Sequence, residues 1–152
     1  MAVIRRDDGT QLKVLGDDVT IKLPSAASPF GMSIVTVDLL PGAALPPVTH
    51  AREEEVYFVL AGELTMSLAG EEQVLRSGDL AHVPPRTPHG YRNASGRPVR
   101  FLSWTVGGPV DRFFVEMNEQ VRSLPEDGAK MKALMARYGV ALAAPPPGAA
   151  EK

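Results

Sequence analysis

The sequence predicts an all-β sandwich or barrel followed by a helical C-terminal extension. Two observations carry that reading. Glycines and prolines, fourteen of each, concentrate between residues 24 and 109 and cut the middle of the chain into segments of four to eight residues, the rhythm of short strands. After Gly107-Gly108-Pro109 the apolar spacing changes from period two to a helical period.

In chain order, residues 1–13 read as a flexible N-terminal segment and 14–107 as the barrel. Strands are expected within Val14–Leu23, Met32–Leu40, Leu45–His50, Glu55–Leu60, Glu63–Leu68, Gln73–Arg76, Asp79–Val83, His89–Asn93 and Val99–Val106. Turn chemistry separates them at Pro41-Gly42, Ala61-Gly62, Ala69-Gly70, Ser77-Gly78 and Asn93-Ala94-Ser95-Gly96. Residues 108–142 read as two helices. Phe113, Phe114, Met117, Val121 and Leu124 form the stripe of the first, and Met131, Leu134, Met135 and Tyr138 share a face of the second, which Gly139 ends. The Pro/Ala-rich tail 143–152 lacks core-forming residues and is expected to be disordered.

The length, 152 residues, suits one domain with a real core. Sixteen basic against eighteen acidic residues give a net charge of −2, so nothing draws the chain to a nucleic-acid backbone or an anionic membrane. With no cysteine, a disulfide framework, a thiolate metal site and a cysteine nucleophile are excluded. Any metal must sit on His, Asp or Glu. No apolar run approaches a membrane span of roughly 18 residues, and the protein is expected to be cytoplasmic, with a small molecule and a second copy of itself as partners.

There are three histidines, His50, His82 and His89. His50 ends one expected strand and Glu55 starts the next, so both side chains can face the interior across a hairpin. Gly42, His50, Glu55 and Gly62 fit the pattern Gly, five residues, His-x-His, four residues, Glu, six residues, Gly, except that its first His falls on Val48. Gly78, Pro84, His89 and Asn93 fit Gly, five residues, Pro-x-Gly, two residues, His, three residues, Asn, except that its inner Gly falls on Arg86. These paired motifs resemble those of the cupin superfamily. The Val14-Leu15-Gly16-Asp17-Asp18-Val19-Thr20 entry, the Pro46-Pro47 pair and the late Ala136-Arg137-Tyr138-Gly139-Val140 are similar to bacterial single-domain quercetinase-like cupins.

The resemblance implies a double-stranded β-helix, or jelly-roll, barrel whose mouth holds one divalent metal on three histidines and a glutamate. Three of those positions remain here, His50, Glu55 and His89. Two imidazoles and one carboxylate suit non-haem iron(II), and the same set accepts manganese, nickel, cobalt or zinc. A metal-free site is the alternative, because Val48, two residues before His50 and on the same strand face, removes a ligand and dries the pocket. Glu55 would then act as a buried general acid or base.

Glu53 and Glu54 read as a solvated acidic turn. Arg86 either occupies a loop position that needs positive φ or reaches the pocket mouth to pair a substrate anion. His82 reads as structural. Tyr57 and Tyr91 share faces with Glu55 and His89 and are assigned to the substrate pocket with Val48. Trp104 belongs to the core or to that pocket. Three functions follow: a metal-dependent dioxygenase of a small aromatic or enolisable substrate; a redox-neutral isomerase, cyclase or dehydratase with Glu55 or a histidine as acid/base; and a non-catalytic ligand-binding protein with a degraded metal site.

Overall fold

Alternation of side chains along short strands closes two antiparallel sheets over one core. The computed structural model describes residues 2–143, so the expected tail beyond Ala143 lies outside the described residues. The strands are β1 (Thr10–Val14), β2 (Asp17–Leu23), β3 (Ser33–Leu39), β4 (Ala44–His50), β5 (Glu54–Ala61), β6 (Glu63–Leu68), β7 (Glu71–Arg76), β8 (Leu80–Val83), β9 (His89–Arg92), β10 (Val99–Val106) and β11 (Val140–Leu142). Helices α1 (Val110–Gln120) and α2 (Gly128–Arg137) lie between β10 and β11. One sheet runs β1-β2-β3-β10-β5-β8 and the other β11-β4-β9-β6-β7.

The interior is set by parity. Val35, Val37 and Leu39 of β3, Tyr57 and Val59 of β5, and Val99 and Phe101 of β10 point inward and pack with Leu64 and Met66 of β6. At one end of these strands the inward positions turn polar, with buried Ser33, Glu55, Ser103 and Thr105. Asn93, 1% exposed, locks the opposite corner. Its Nδ2 donates to the carbonyls of Leu39 and Arg97 at 3.0 and 2.7 Å, and its Oδ1 accepts from the Ser95 amide and hydroxyl at 3.0 and 2.7 Å.

Three elements differ from the sequence expectation. Residues 10–13, in the segment read as flexible, belong to strand β1 (Thr10–Val14), so the barrel begins at residue 10. It turns into β2 through Leu15 and Gly16, at φ 52° and 97°, and is held by buried Leu12 and by an Asn118 Oδ1 on α1 that accepts from the Lys13 amide at 2.8 Å. Helix α1 ends at Gln120; Val121 is its extended C-cap and stays buried, while Leu124 of the expected stripe is exposed. Residues 140–142, expected as helical extension, form β11 and pair with β4, Val140 opposite His50 and Leu142 opposite Val48.

The two helices cover the barrel mouth. Met117, Val121 and Leu134 make one buried cluster with partly buried Phe113, Met131 and Tyr138. Met135 and Val140 make another with Val48, in the second sheet itself. Among the described residues no helix is long and apolar enough to cross a membrane.

Candidate metal centre

His50 closes β4, Glu55 stands second on β5 and His89 opens β9. Pro46 and Pro47 carry no amide hydrogen and interrupt the β4–β9 ladder. Leu45 pairs with Tyr91 but the next pairing joins Val48 to His89, so β4 carries an extra residue there, a bulge that re-aims the strand beside the site. Gly90 makes this approach possible: a Cβ there would lie 2.7 Å from the Leu45 carbonyl oxygen and 2.9 Å from the Pro47 nitrogen.

The three side chains converge. Their ligand atoms lie within 4.8 Å of one another and all three residues are buried. Glu55 Oε2 stands 2.8 Å from His89 Nε2 and 3.8 Å from His50 Nε2. Despite the short approach, neither Glu55 Oε2 nor His89 Nε2 has a hydrogen-bond partner, so the two atoms are close but not aligned to bond each other. His89 Nδ1 lies 2.9 Å from the Thr87 carbonyl oxygen, to which it donates, and that bond fixes the tautomer with the lone pair on Nε2.

Donor atoms bound to one ion at about 2.1 Å stand roughly 3 to 3.4 Å apart, and the observed 2.8 and 3.8 Å bracket that span. Unpartnered buried polar atoms are costly, and a shared cation satisfies them together. The donor set therefore fits a divalent metal.

Burial disfavours the His89 imidazolium, but the Glu55 carboxylate beside it and the Thr87 carbonyl outweigh that and hold its pKa above the ordinary 6.5. For His50 burial dominates and, aided by His89, pushes the pKa down against the pull of Glu55 and Glu53. The buried Tyr57 phenol is raised well above its ordinary value by burial and then by Glu55.

A cavity of about 200 Å³ runs from His50 and Glu55 to the helices. Its walls are chiefly apolar, with Val48, Tyr57 and Tyr91 from the barrel and Phe113, Met117 and Met135 from the helices. Two expected pocket residues are absent from it. Trp104 points away because Ser103 and Thr105 take the inward positions of β10; it is 45% exposed on the outer face, between Ile34 and Val56 on the neighbouring strands. Arg86 is exposed outside the cavity lining and acts through its backbone, at φ 64°, where its amide donates to the His50 carbonyl at 2.8 Å. His82 is likewise exposed and pairs with Glu54 at 2.6 Å.

The acidic turn corrects a third expectation. Glu54 is exposed, but Glu53 is buried, 2% exposed, with Oε2 accepting from the Arg52 amide at 3.2 Å. Asp17 was not singled out from sequence and also lines the cavity. Burial, then the neighbouring Asp18 charge, raises its pKa against the pull of Lys13. Its only sequence signal is its place after the Leu15-Gly16 turn.

Residues 35–105 fit the family described as Cupin domain. The barrel has the cupin fold. Over 73 residues the chain is 41% identical to a quercetin 2,3-dioxygenase of Bacillus subtilis, a stretch covering 48% of this chain and 21% of that enzyme. A predicted oxalate decarboxylase from Thermotoga maritima superposes with TM-score 0.63 and 20% identity, over 70% of this chain and 99% of that one. The polyketide cyclase RemF from Streptomyces resistomycificus superposes with TM-score 0.60 and 20% identity, over 70% of this chain and 79% of that one. At that identity the two structures show the shared cupin fold. Those names span a decarboxylase and a cyclase on one barrel, so the activity of this chain has to be argued from its own site.

Proposed function

We propose that this protein is a metal-dependent oxygenase of the quercetinase-like kind, acting on a small aromatic or enolisable substrate. The observation that carries the proposal is the convergence of three buried residues, His50, Glu55 and His89, with Glu55 Oε2 and His89 Nε2 unpartnered, and with His50 and Glu55 lining a chiefly apolar cavity. The 41% identity to quercetin 2,3-dioxygenase over the matched stretch supports the oxygenase chemistry. A divalent ion held there, iron(II) first by its preference for two histidines and one carboxylate, supplies Lewis acidity and open positions for substrate oxygen and dioxygen.

The residues of the chain do the remaining work. Glu55 is placed to take the proton of a substrate hydroxyl or enol, with the Tyr57 hydroxyl beside it to steady the carboxyl as it changes charge. Thr87 keeps the His89 lone pair aimed inward. Phe113, Met117 and Met135 exclude water from the reacting end. An apolar cavity of about 150 Å³ accepts benzene, so about 200 Å³ accommodates a substituted single ring. Larger molecules must protrude through the mouth.

The close Glu55–Tyr57 pair favours one second reading, proton transfer without dioxygen. The test is elemental analysis of untagged, chelator-free protein beside a His50→Ala, His89→Ala double variant. It is followed by turnover of substituted catechols and 1,3-dicarbonyls with and without oxygen. Stoichiometric iron, manganese, nickel or cobalt that vanishes in the variant, together with oxygen uptake, is the expected result. Turnover in strict anaerobiosis would transfer the site to the redox-neutral reading. Metal no higher than in the variant would overturn both metal and oxygenase.

A further inference from the structure

We propose that Glu53 is the positioning carboxylate of His50: it accepts a hydrogen bond from Nδ1–H and thereby presents the Nε2 lone pair toward Glu55 and His89. The inference rests on the metal-centre reading and adds to it a residue outside the three donors. Glu53 sits in the turn between β4 and β5, where a carboxylate ordinarily faces water, yet only 2% of the residue is exposed. Its Oε2 lies 3.9 Å from His50 Nδ1, and that nitrogen is buried with no hydrogen-bond partner.

His50 therefore lies between two carboxylates, with Glu53 on Nδ1 and Glu55 on Nε2 at 3.8 Å. A neutral imidazole carries one N–H and can serve only one of them. Donation toward Glu55 would spend the nitrogen that a metal needs. Donation toward Glu53 frees it, and a shift of about 1 Å brings Nδ1 within hydrogen-bond range of Oε2. Carboxylates behind a ligating histidine commonly play this part, fixing tautomer and ring orientation.

A second observation is independent of the first. A Cβ at Gly108 would overlap the Glu53 carboxylate. The φ of Gly108 lies outside the left-handed region, so the turn itself does not require glycine there; the room for the carboxylate does. Gly107, at φ 96°, brings the chain so close that a Cβ would stand 2.7 Å from the Arg52 carbonyl oxygen. The linker into α1 is thus shaped as a cradle that keeps Glu53 folded inward beside His50.

The experiment uses the full chain and cobalt(II). Calorimetric titration is run on wild type, Glu53→Ala, Glu53→Gln, Gly108→Ala, the Glu53→Ala/Gly108→Ala double variant, and His89→Ala. Imidazole ¹⁵N shifts are read on the metal-free proteins, with unfolding curves to establish that each is folded. Glu53→Ala is expected to weaken cobalt binding 10- to 100-fold and to release His50 from the Nδ1–H tautomer. Glu53→Gln, whose amide oxygen still accepts, is expected to recover most of both. Gly108→Ala is expected to weaken binding in the same direction, with no further loss in the double variant. A folded Glu53→Ala protein with wild-type affinity and an unchanged His50 tautomer would overturn the proposal. Cobalt binding that is absent in wild type, or indifferent to His89→Ala, would instead sink the metal-centre reading, and the tautomer measurement would still decide Glu53.

Discussion

Replacing Val48 with histidine should lower the stability of the metal-free protein and raise its affinity for metal. Val48 is 3% exposed, packs on Met135 and Val140, and stands opposite His89 in register. Without metal, Val48→His gives up about 1.5 kcal/mol of apolar burial and leaves an imidazole without partners at about 1–3 kcal/mol. The sum, about 3 kcal/mol, lowers Tm by about 10 °C in a domain of this size. With metal, the imidazole becomes a fourth ligand beside His50, Glu55 and His89, and affinity should rise tenfold or more, about 1.4 kcal/mol. A free metal concentration of about 100 times the variant's Kd then returns about 2.7 kcal/mol to the variant but only about 1.4 kcal/mol to wild type, whose Kd is tenfold larger, so metal offsets a little under half of the apo penalty. Thermal unfolding with EDTA and with cobalt(II), beside a competition titration, measures both signs. A variant as stable as wild type in EDTA, with no gain in metal affinity, would show that residue 48 does not face the donor set and that the bulge in β4 aims it elsewhere.

Four other outcomes are expected. Metal affinity should fall as pH drops, beginning above pH 6.5, because the metal must displace a proton from His89, whose pKa is raised chiefly by Glu55 against the effect of burial; titrations between pH 8 and 6 that stay flat would contradict it. In the metal-free protein the two histidines act oppositely on stability. As pH falls through 6.5 the unfolded chain protonates His50 before the folded one does, so acid destabilises through that residue, whereas His89 stabilises at low pH and loses that contribution as pH rises through its folded pKa. Residue-resolved NMR titration separates them, with His50 expected below 6.5 and His89 above. Arg86→Gly should stabilise by about 0.5–1 kcal/mol, the relief of a left-handed residue less the extra entropy of unfolded glycine, without changing substrate affinity. Asn93→Ala should cost about 3 kcal/mol, since it strands buried carbonyls and Ser95 at once; a loss under 1 kcal/mol in urea unfolding would show that this corner is not a structural lock.

The donor set was legible because it depends on local arithmetic. Two spaced motifs place His50, Glu55 and His89, although neither is the expected hairpin: β4 and β5, like β8 and β9, lie in different sheets, and each motif crosses from one sheet to the other. Arg86 was half legible: the motif identified a position that asks for positive φ, and the backbone there has it. Glu53 was illegible for the opposite reason. Its burial depends on Gly107 and Gly108, more than fifty residues away, and an Arg-Glu-Glu-Glu run carries only the local signal of a solvated turn. Trp104 shows the limit of parity: alternation defines two faces without naming them, and hydrophobicity drew the tryptophan inward although Ser103 and Thr105 hold those positions. Strand β11 has three residues and exists because β4 offers an edge, which no local pattern records.

The missing fourth ligand and the helical cover are one feature of this barrel. Val48 occupies the motif's histidine position and is also the barrel residue on which Met135 of α2 and Val140 of β11 pack. A polar ligand there would serve a metal but offer α2 and β11 a poorer apolar seat. Valine gives up one donor and in exchange holds the cover in place, so His50 and Glu55 look into a chiefly apolar cavity and His89 stays buried beside them. A three-donor site holds its ion less tightly, yet it leaves more positions for substrate, and in a cavity lined by Phe113, Met117 and Met135 a substrate oxygen meets less competition from water for them. That exchange suits chemistry in which the substrate itself completes the coordination, and it makes residue 48 the position where metal affinity and closure of the cavity are set against each other.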